Sequence, residues 1–242
     1  MPVIHDCEQR SEAWHKLRLG RPTASAFDKI VTSKGKLSTQ CEAYLNQLLA
    51  ETILGTVIEE KLETKWMEHG RLMESQAIAS YEFETERETQ YVGFIINWDG
   101  AIGCSPDRLV GNAGLLELKA PAPQTHVGYL RNRSVEDAYR AQVQGQLLVS
   151  EREWLDLQSY CVGFPTIIIR VNRDEAYLAV LETALHEFVD KLAVARAELE
   201  TRYGPFQRAP KPAEPEDGIP GLGITDDDLD ALMREKFPKE IA

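Results

Sequence analysis

The residues best able to do chemistry lie in one short stretch. Asp107, in Ser105-Pro106-Asp107, is followed ten residues on by Glu117, in Glu117-Leu118-Lys119. Side chains alternate faces along a strand, so Glu117 and Lys119 fall on the same side, about 6.6–7 Å apart. Between the two segments, Gly111-Asn112-Ala113-Gly114 consists of turn formers. That predicts an antiparallel hairpin, with Asp107 on the strand beside Leu115–Lys119. Two carboxylates and an ammonium then converge on one edge of a sheet. Hard oxygen ligands of this kind suit Mg²⁺ or Mn²⁺, and a lysine beside a metal-held water can orient or deprotonate it for attack on phosphorus. Glu-x-Lys alone says little, since Glu59-Glu60-Lys61 and Glu63-Thr64-Lys65 repeat it. Glu117 differs in lying within an apolar run, where an unpaired charge is costly. The competing reading is an edge strand carrying a surface Glu–Lys pair.

Other residues could support such a site. Glu74, one turn after His69-Gly70-Arg71 on a helical segment, is either an auxiliary carboxylate or a solvated helix residue. Tyr139, Gln142 and Gln146 recur at i, i+3 and i+7, so they share a helix face. Their polar groups either bind phosphate, hold Lys119, or form a plain polar surface. Arg108 adds a charge beside Asp107. Lys34-Gly35-Lys36 is either part of a nucleic-acid path or a loop, and Asp99 either supports the site or makes a turn.

The elements that must position these groups follow from periodicity and caps. Glu12–Leu19 reads as a helix, and Thr23–Ile30 as another with Thr23 as its cap. Thr39 and Glu42 have the spacing of a capping box, before a stripe of Leu45, Leu48, Leu49 and Ile53 that ends at Gly55. Trp66, Gly70, Met73, Ala77 and Tyr81 form a further stripe. Strands are expected at Gln90–Trp98, Ala101–Cys104, Asp107–Val110, Leu115–Ala120, Trp154–Val162 and Thr166–Asn172, with a helix at Val135–Ser150. Leu178, Leu181, Leu185, Phe188, Leu192 and Leu199 mark a long closing helix. This order predicts an α/β fold with a mixed central sheet flanked by helices. Composition shifts near residue 204. Residues 204–242 hold six of the twelve prolines and Gly218-Ile219-Pro220-Gly221-Leu222-Gly223. The expected organisation is therefore a 1–203 domain, then a Pro/Gly-rich linker and a short acidic helix opened by Thr225-Asp226-Asp227-Asp228.

Composition bounds the class. The chain has 242 residues, 43% of them apolar and 27% charged, which suits a folded protein and excludes a disordered one. No eighteen-residue apolar run exists, so no membrane-spanning helix is expected. The start lacks a basic leader and apolar core, which points to a cytoplasmic protein. The four cysteines, Cys7, Cys41, Cys104 and Cys161, make no C-x-x-C pair, and are expected to be reduced thiols rather than a zinc site. The net charge of −12 would repel nucleic acid if it were spread evenly. It is not: residues 1–50 carry seven Lys/Arg against five Asp/Glu, and residues 119–134 carry Lys119, Arg131 and Arg133 with no acid.

Six pieces, taken together in their order and spacing, resemble the lambda-exonuclease (YqaJ-type viral recombinase) branch of the PD-(D/E)xK nucleases. They are Ala13-Trp14-His15-Lys16-Leu17-Arg18-Leu19-Gly20, Thr23-Ala24-Ser25, Gly70 with Glu74, Cys104-Ser105-Pro106-Asp107, Leu116-Glu117-Leu118-Lys119, and Ala141-Gln142-Val143-Gln144. The resemblance spans about residues 12–203 and implies a restriction-endonuclease-like core. It implies that Asp107, Glu117 and the main-chain oxygen of Leu118 bind Mg²⁺ (or Mn²⁺), that Lys119 activates the attacking water, and that Glu74 is an auxiliary carboxylate. Arg18 is implied to anchor a 5′-phosphate, with Thr23, Ser25 and Ser105 as hydroxyl partners; a bidentate guanidinium with hydroxyls at a helix start suits that task. The alternative for Arg18 is a pairing with Glu12 or Asp28. Tyr139, Gln142 and Gln146 would support the site.

The function implied is 5′→3′ digestion of linear double-stranded DNA by ring-shaped homotrimers. This leaves 3′ overhangs for a single-strand annealing protein, in a bacterial cytoplasm and from a phage or prophage gene. Two alternatives stay open. One is another PD-(D/E)xK endonuclease, including the Fe–S CRISPR-adaptation type, although Cys161 stands without neighbouring cysteines. The other is a catalytically silent DNA-binding module, which the complete Asp107, Glu117 and Lys119 set argues against.

Overall fold

The computed structural model describes residues 1–58, 65–97, 99–133 and 139–206, with the backbone alone at 65–72. The expected linker and acidic helix, the two further Glu-x-Lys triplets apart from the backbone of Lys65, the side chain of Trp66, and all of Trp98 lie outside the described residues. Met1–Phe206 falls in one unit.

The centre of that unit is a five-stranded mixed sheet in the order β2 (Thr89–Tyr91), β5 (Arg108–Val110), β6 (Gly114–Lys119), β7 (Trp154–Ser159), β8 (Ile167–Asn172). All pairs are antiparallel except β6 with β7. The β5–β6 hairpin has the predicted form, with Arg108, Leu109 and Val110 opposite Leu116, Leu115 and Gly114. Both faces of β6 are covered. On one, Leu116 joins Tyr81 of α3 (Lys65–Thr85) and Val110. On the other, Leu115 joins the main core with Leu147 of α5 (Arg140–Ser150), Phe27, and Leu181 and Leu185 of α6 (Glu175–Tyr203). Leu116 and Leu115 are both fully buried. Burial of such side chains contributes roughly 1.5–3 kcal/mol each, so the strand bearing Glu117 is held from both sides. The mixed sheet with helices on both faces is the expected α/β architecture.

A second sheet contains β1 (Val3–His5), β3 (Phe94–Ile96) and β4 (Gly103–Cys104). The single strand expected at Gln90–Trp98 is thus two, β2 and β3, in different sheets. The break falls at Val92-Gly93. There a side chain on Gly93 would lie 2.1 Å from the Cys7 main-chain oxygen, so the chain crosses its own N-terminal segment at the one residue that fits.

Two local expectations are corrected. Thr23–Ile30 is a 3₁₀ helix, Ala24–Lys29, and Thr23 at its cap makes no capping bond; its hydroxyl instead lies 3.3 Å from Ser25 Oγ. The capping box at Thr39 and Glu42 does not form, because α2 (Cys41–Leu54) starts from Gln40 in helical geometry. Its end is as expected, at Gly55 with φ of 72°. Of the helix expected over Val135–Ser150, residues 135–138 lie outside the described residues, and α5 is its described part. A separate helix, α4 (Pro123–Asn132), was not anticipated in the basic segment; Pro stands in its first turn, where the missing N–H costs nothing.

Candidate active site

Asp107 sits just before β5, where the β5–β6 ladder runs out. Its Oδ2 accepts the Leu118 main-chain N–H at 2.5 Å, so a side chain continues the ladder in place of backbone. The N–H and C=O of one strand residue point to the same edge. The Leu118 oxygen therefore opens toward Asp107 as well. Glu117, one residue earlier, is 5% exposed and faces α5. Its Oε1 accepts from Lys119 Nζ and from Gln142 Nε2, each at 2.6 Å, and its Oε2 accepts from Gln146 Nε2 at 2.7 Å. The helix face expected from the i, i+3, i+7 spacing thus exists, and its amides hold both Glu117 and Lys119. Gln142 Oε1 accepts from Lys119 Nζ at 3.3 Å, and Nζ stands 4.8 Å from the centre of the Tyr139 ring.

The electrostatics are those of charges crowded away from water. Burial pushes the Asp107 carboxyl well above the usual range; the Glu117 charge adds to this, and Glu74 adds a smaller push. The Leu118 N–H and Lys119 oppose them. Burial pulls the Lys119 ammonium down, but the charge and hydrogen bond of Glu117, with Asp107 and Tyr139, outweigh it and leave the net shift upward. Glu74 reaches the site through charge rather than contact, being paired with Arg108 at 3.6 Å. Arg108 is thereby accounted for. Asp99 is a turn residue, its Oδ1 accepting the Ala101 N–H at 2.8 Å. Lys34-Gly35-Lys36 lies in a tight loop, closed by the Gly35 and Lys36 N–H groups on Thr32.

Beside this edge is a cleft of about 680 Å³ that collects Arg18, Thr23, Ser25 and Ser105 together with Lys119, Gln142 and Gln146. All four residues tied to the 5′-phosphate by resemblance therefore share one space with the lysine. Local folding explains why. The Thr23 backbone bridges to Gly103 of β4, and the Gly103 N–H donates to Pro22 O at 3.1 Å. The 3₁₀ helix is thereby pinned beside the loop that carries Ser105. Arg10, Arg21 and Lys29 also line the cleft, against Glu51 as its acid. The charge of this wall is opposite to that of the whole chain, which focuses attraction for an anion there.

Sequence reasoning missed several residues. Trp14 donates its indole N–H to Ser105 Oγ at 2.7 Å, and Arg18 stacks on its ring at 4.2 Å. Gln9 holds the same loop by donating to Val92 O at 3.1 Å and Pro106 O at 3.2 Å. Glu51, 3% exposed, accepts from Gln47 Nε2 at 3.1 Å and Ile58 N–H at 3.2 Å. An apolar stripe marked α2 as a core helix, and nothing in the spacing set this acid apart.

Fold and site together define a nuclease-type α/β domain. The family model of the YqaJ-like viral recombinase domain matches residues 13–153, and the chain belongs to that family. It is similar to the crystal structure of an alkaline exonuclease (LHK-Exo) from Laribacter hongkongensis, at 29% identity and a TM-score of 0.72 over 79% of this chain and 97% of that one. The same enzyme in complex with dAMP gives 29% identity and a TM-score of 0.71, with 79% and 97% covered. A phage related exonuclease from Haemophilus somnus 129PT shares the fold at 13% identity, with a TM-score of 0.57 over 72% of this chain and 96% of that one. Among proteins of curated function, none matches the chain.

Proposed function

We propose that this chain is a divalent-metal-dependent exonuclease that degrades one strand of linear double-stranded DNA from its 5′ end. The observation that carries the reading is the pairing of Asp107 and Glu117 at the end of β6, with Lys119 between that pair and a basic cleft. The likeness to an alkaline exonuclease at 29% identity supports the same class of reaction.

The residues fit Mg²⁺ or Mn²⁺. Burial and the Glu117 charge raise the cost of ionising Asp107, and Lys119 offsets it only in part; a hard dication relieves such crowding. Among the described residues no group of three His, Cys, Asp or Glu side chains forms a closed cage. The holding set would be Asp107, Glu117 and the Leu118 main-chain oxygen, with Glu74 close enough to add charge. When bound, the ion would neutralise charge on the phosphate and lower the pKa of water.

The chain's own groups supply the rest. Lys119, held by Glu117 and Gln142, presents an N–H to the attacking water and orients it. Gln142 and Gln146 keep Glu117 from turning. Arg18, with Thr23, Ser25 and Ser105, takes the terminal 5′-phosphate and sets the next phosphodiester at the carboxylates. A charge-assisted contact of this kind is worth roughly 1.5–3 kcal/mol. Digestion by a homotrimeric ring, with basic segments 16–36 and 119–134 facing the duplex, would make processivity a matter of topology. The 3′ overhang would then pass to a single-strand annealing protein in a bacterial cytoplasm.

A gel assay tests the reading: matched linear duplexes with and without a 5′-phosphate, in Mg²⁺, Mn²⁺ or EDTA. Strand loss from the 5′ end in metal, faster for the phosphorylated duplex and absent in EDTA, is expected. Internal cuts on circular DNA would favour an endonuclease, and no cleavage under any condition would leave a binding module. Arg18→Ala should make the two duplexes nearly equivalent. An unchanged ratio would place the phosphate elsewhere. Light scattering tests the ring, and a monomer would remove it without removing the nuclease.

A further inference from the structure

Two parts of the site come from segments about ninety residues apart. Arg18 ends α1 (Glu12–Arg18), whereas Ser105 lies in the loop after β4, two residues before Asp107. Trp14 joins them. It lies one turn before Arg18, so the two side chains share a helix face. The Arg18 guanidinium lies 4.2 Å above the indole ring, and the indole N–H donates to Ser105 Oγ at 2.7 Å. A single rigid ring thus fixes a guanidinium by its face and a hydroxyl by its edge. All three side chains line the cleft that also holds Lys119. The ring is itself fixed, since the Trp14 main-chain N–H donates to the Ser11 cap at 3.3 Å and His15 packs edge-on at 5.1 Å.

An indole N–H has one donor and no acceptor. Bonding to Trp14 therefore obliges Ser105 to accept there and leaves the serine proton to point elsewhere, into the cleft. The stacked arginine keeps its planar fork of donors at a set angle. An anion entering the cleft would then meet one serine donor and one guanidinium whose separation is set by the indole. We infer that Trp14 is a positioning residue, spacing the anion-binding pair Arg18 and Ser105 against the Asp107–Glu117 edge. It thereby sets how far a terminal phosphate advances toward the reacting phosphodiester. This rests on the reading of the cleft as a 5′-phosphate pocket. Its signature would be in rate more than affinity, because a phosphate still captured but held out of place retains binding and loses alignment.

Two measurements test this and separate its failure from that of the parent reading. The first uses the free protein. The chain has four tryptophans, and the Trp14 indole N–H resonance is identified as the one missing in Trp14→Phe. Ser105→Ala should shift that resonance; an unmoved resonance overturns the linkage whatever the substrate. The second is kinetic, on matched 5′-phosphorylated and 5′-hydroxyl duplexes. Trp14→Phe keeps a ring face for Arg18 and loses the donor. It should lower kcat on the phosphorylated duplex by roughly 10- to 100-fold, with KM little changed. Trp14→Leu loses both contacts and should contract the phosphate preference to that of Arg18→Ala. Trp14→Leu combined with Arg18→Ala should cost no more preference than Arg18→Ala alone. Melting temperatures near wild type accompany the expected result. If Arg18→Ala removes the preference while Trp14→Phe and Trp14→Leu keep it, the positioning role is wrong and the pocket stands. If Arg18→Ala itself keeps the preference, the pocket is wrong and the positioning role falls with it, even where the Ser105→Ala shift is seen.

Discussion

At the residue scale, the crowding of Asp107 and Glu117 sets function against stability. Ionising Asp107 in the folded chain costs more than in the unfolded chain, so stability falls as pH rises above the ordinary carboxyl range. Asp107→Asn keeps an oxygen for the Leu118 N–H and removes the charge. It should abolish cleavage, by about 10³-fold or more, yet melt no lower than wild type and somewhat higher at neutral pH without metal. Adding Mg²⁺ should raise the melting temperature of wild type and leave that of Asp107→Asn nearly still; equal shifts would remove Asp107 from the metal set. Lys119→Ala should cripple turnover while Mg²⁺ affinity is largely kept. Recovery of full rate at saturating Mg²⁺ would make it a metal-affinity residue instead. The strand bearing Glu117 and Lys119 was legible because period-two alternation fixes which residues share a face. So were Gln142 and Gln146, by helical period. Trp14 was not, since its partner Ser105 is ninety-one positions away and no periodicity reports a contact at that range.

At the element scale, α5 is the part on which the site leans. One face carries Gln142 and Gln146. Another carries Gly145, where a side-chain carbon would come within 2.4 Å of the Phe27 ring. The helix therefore packs directly on the 3₁₀ helix that bears Ser25. Gly145→Val should force these two elements apart, costing about 1–3 kcal/mol of stability, measured by chemical denaturation. It should also slow cleavage, though Val touches neither carboxylate. A fully stable, fully active variant would mean that α5 tolerates displacement. The elements that were hard to read share a cause. Thr39 and Glu42 had capping spacing, but α2 begins two residues past Thr39; local chemistry proposes a cap, and packing decides which turn receives it. The break between β2 and β3 depends on Cys7, far away in sequence. The basic segment after Lys119 shows its charge more plainly than its helix, because the buried side chains of α4 are His126 and Tyr129 rather than an aliphatic stripe.

For the whole molecule, alkaline pH bears on the core. Tyr44, 4% exposed and stacked on Phe188 at 5.6 Å, has its hydroxyl pushed by burial up to about 12. Burial likewise holds Tyr177, at the start of α6, at about 12. Unfolded tyrosines ionise near 10, so between these values the unfolded chain has shed protons that the folded chain keeps. The stability Tyr44 confers is whole below pH 10 and is lost as pH rises to about 12, on the order of 2–3 kcal/mol. Denaturation curves at pH 9, 10 and 11, with phenolate absorbance followed in parallel, should show stability dropping after pH 10 and ionisation delayed until unfolding. Early, non-cooperative ionisation of all eight tyrosines would contradict the burial. Charge was the global property least informative in advance. A net −12 describes no particular surface, and only the fold shows five cationic side chains around one cleft.

The hairpin between β5 and β6 has one further consequence, and it is genetic. Asp107 and Glu117 face each other only because Val110 pairs with Gly114 across three intervening residues. Adding or removing one residue in that turn would slide β5 by one position against β6. One carboxylate would then pass to the opposite face of the sheet while β6, locked by Leu115 and Leu116, stayed in place. The turn Gly111-Asn112-Ala113 lies at the opposite end of the hairpin from Asp107 and Glu117, and single substitutions at Asn112 or Ala113 should behave as near-silent missense alleles. An in-frame codon gained or lost at the same spot should score as a null, although Asp107, Glu117 and Lys119 are all still encoded. A saturation library of the turn, scored separately for replacements and for single-codon length changes, should split into those two classes.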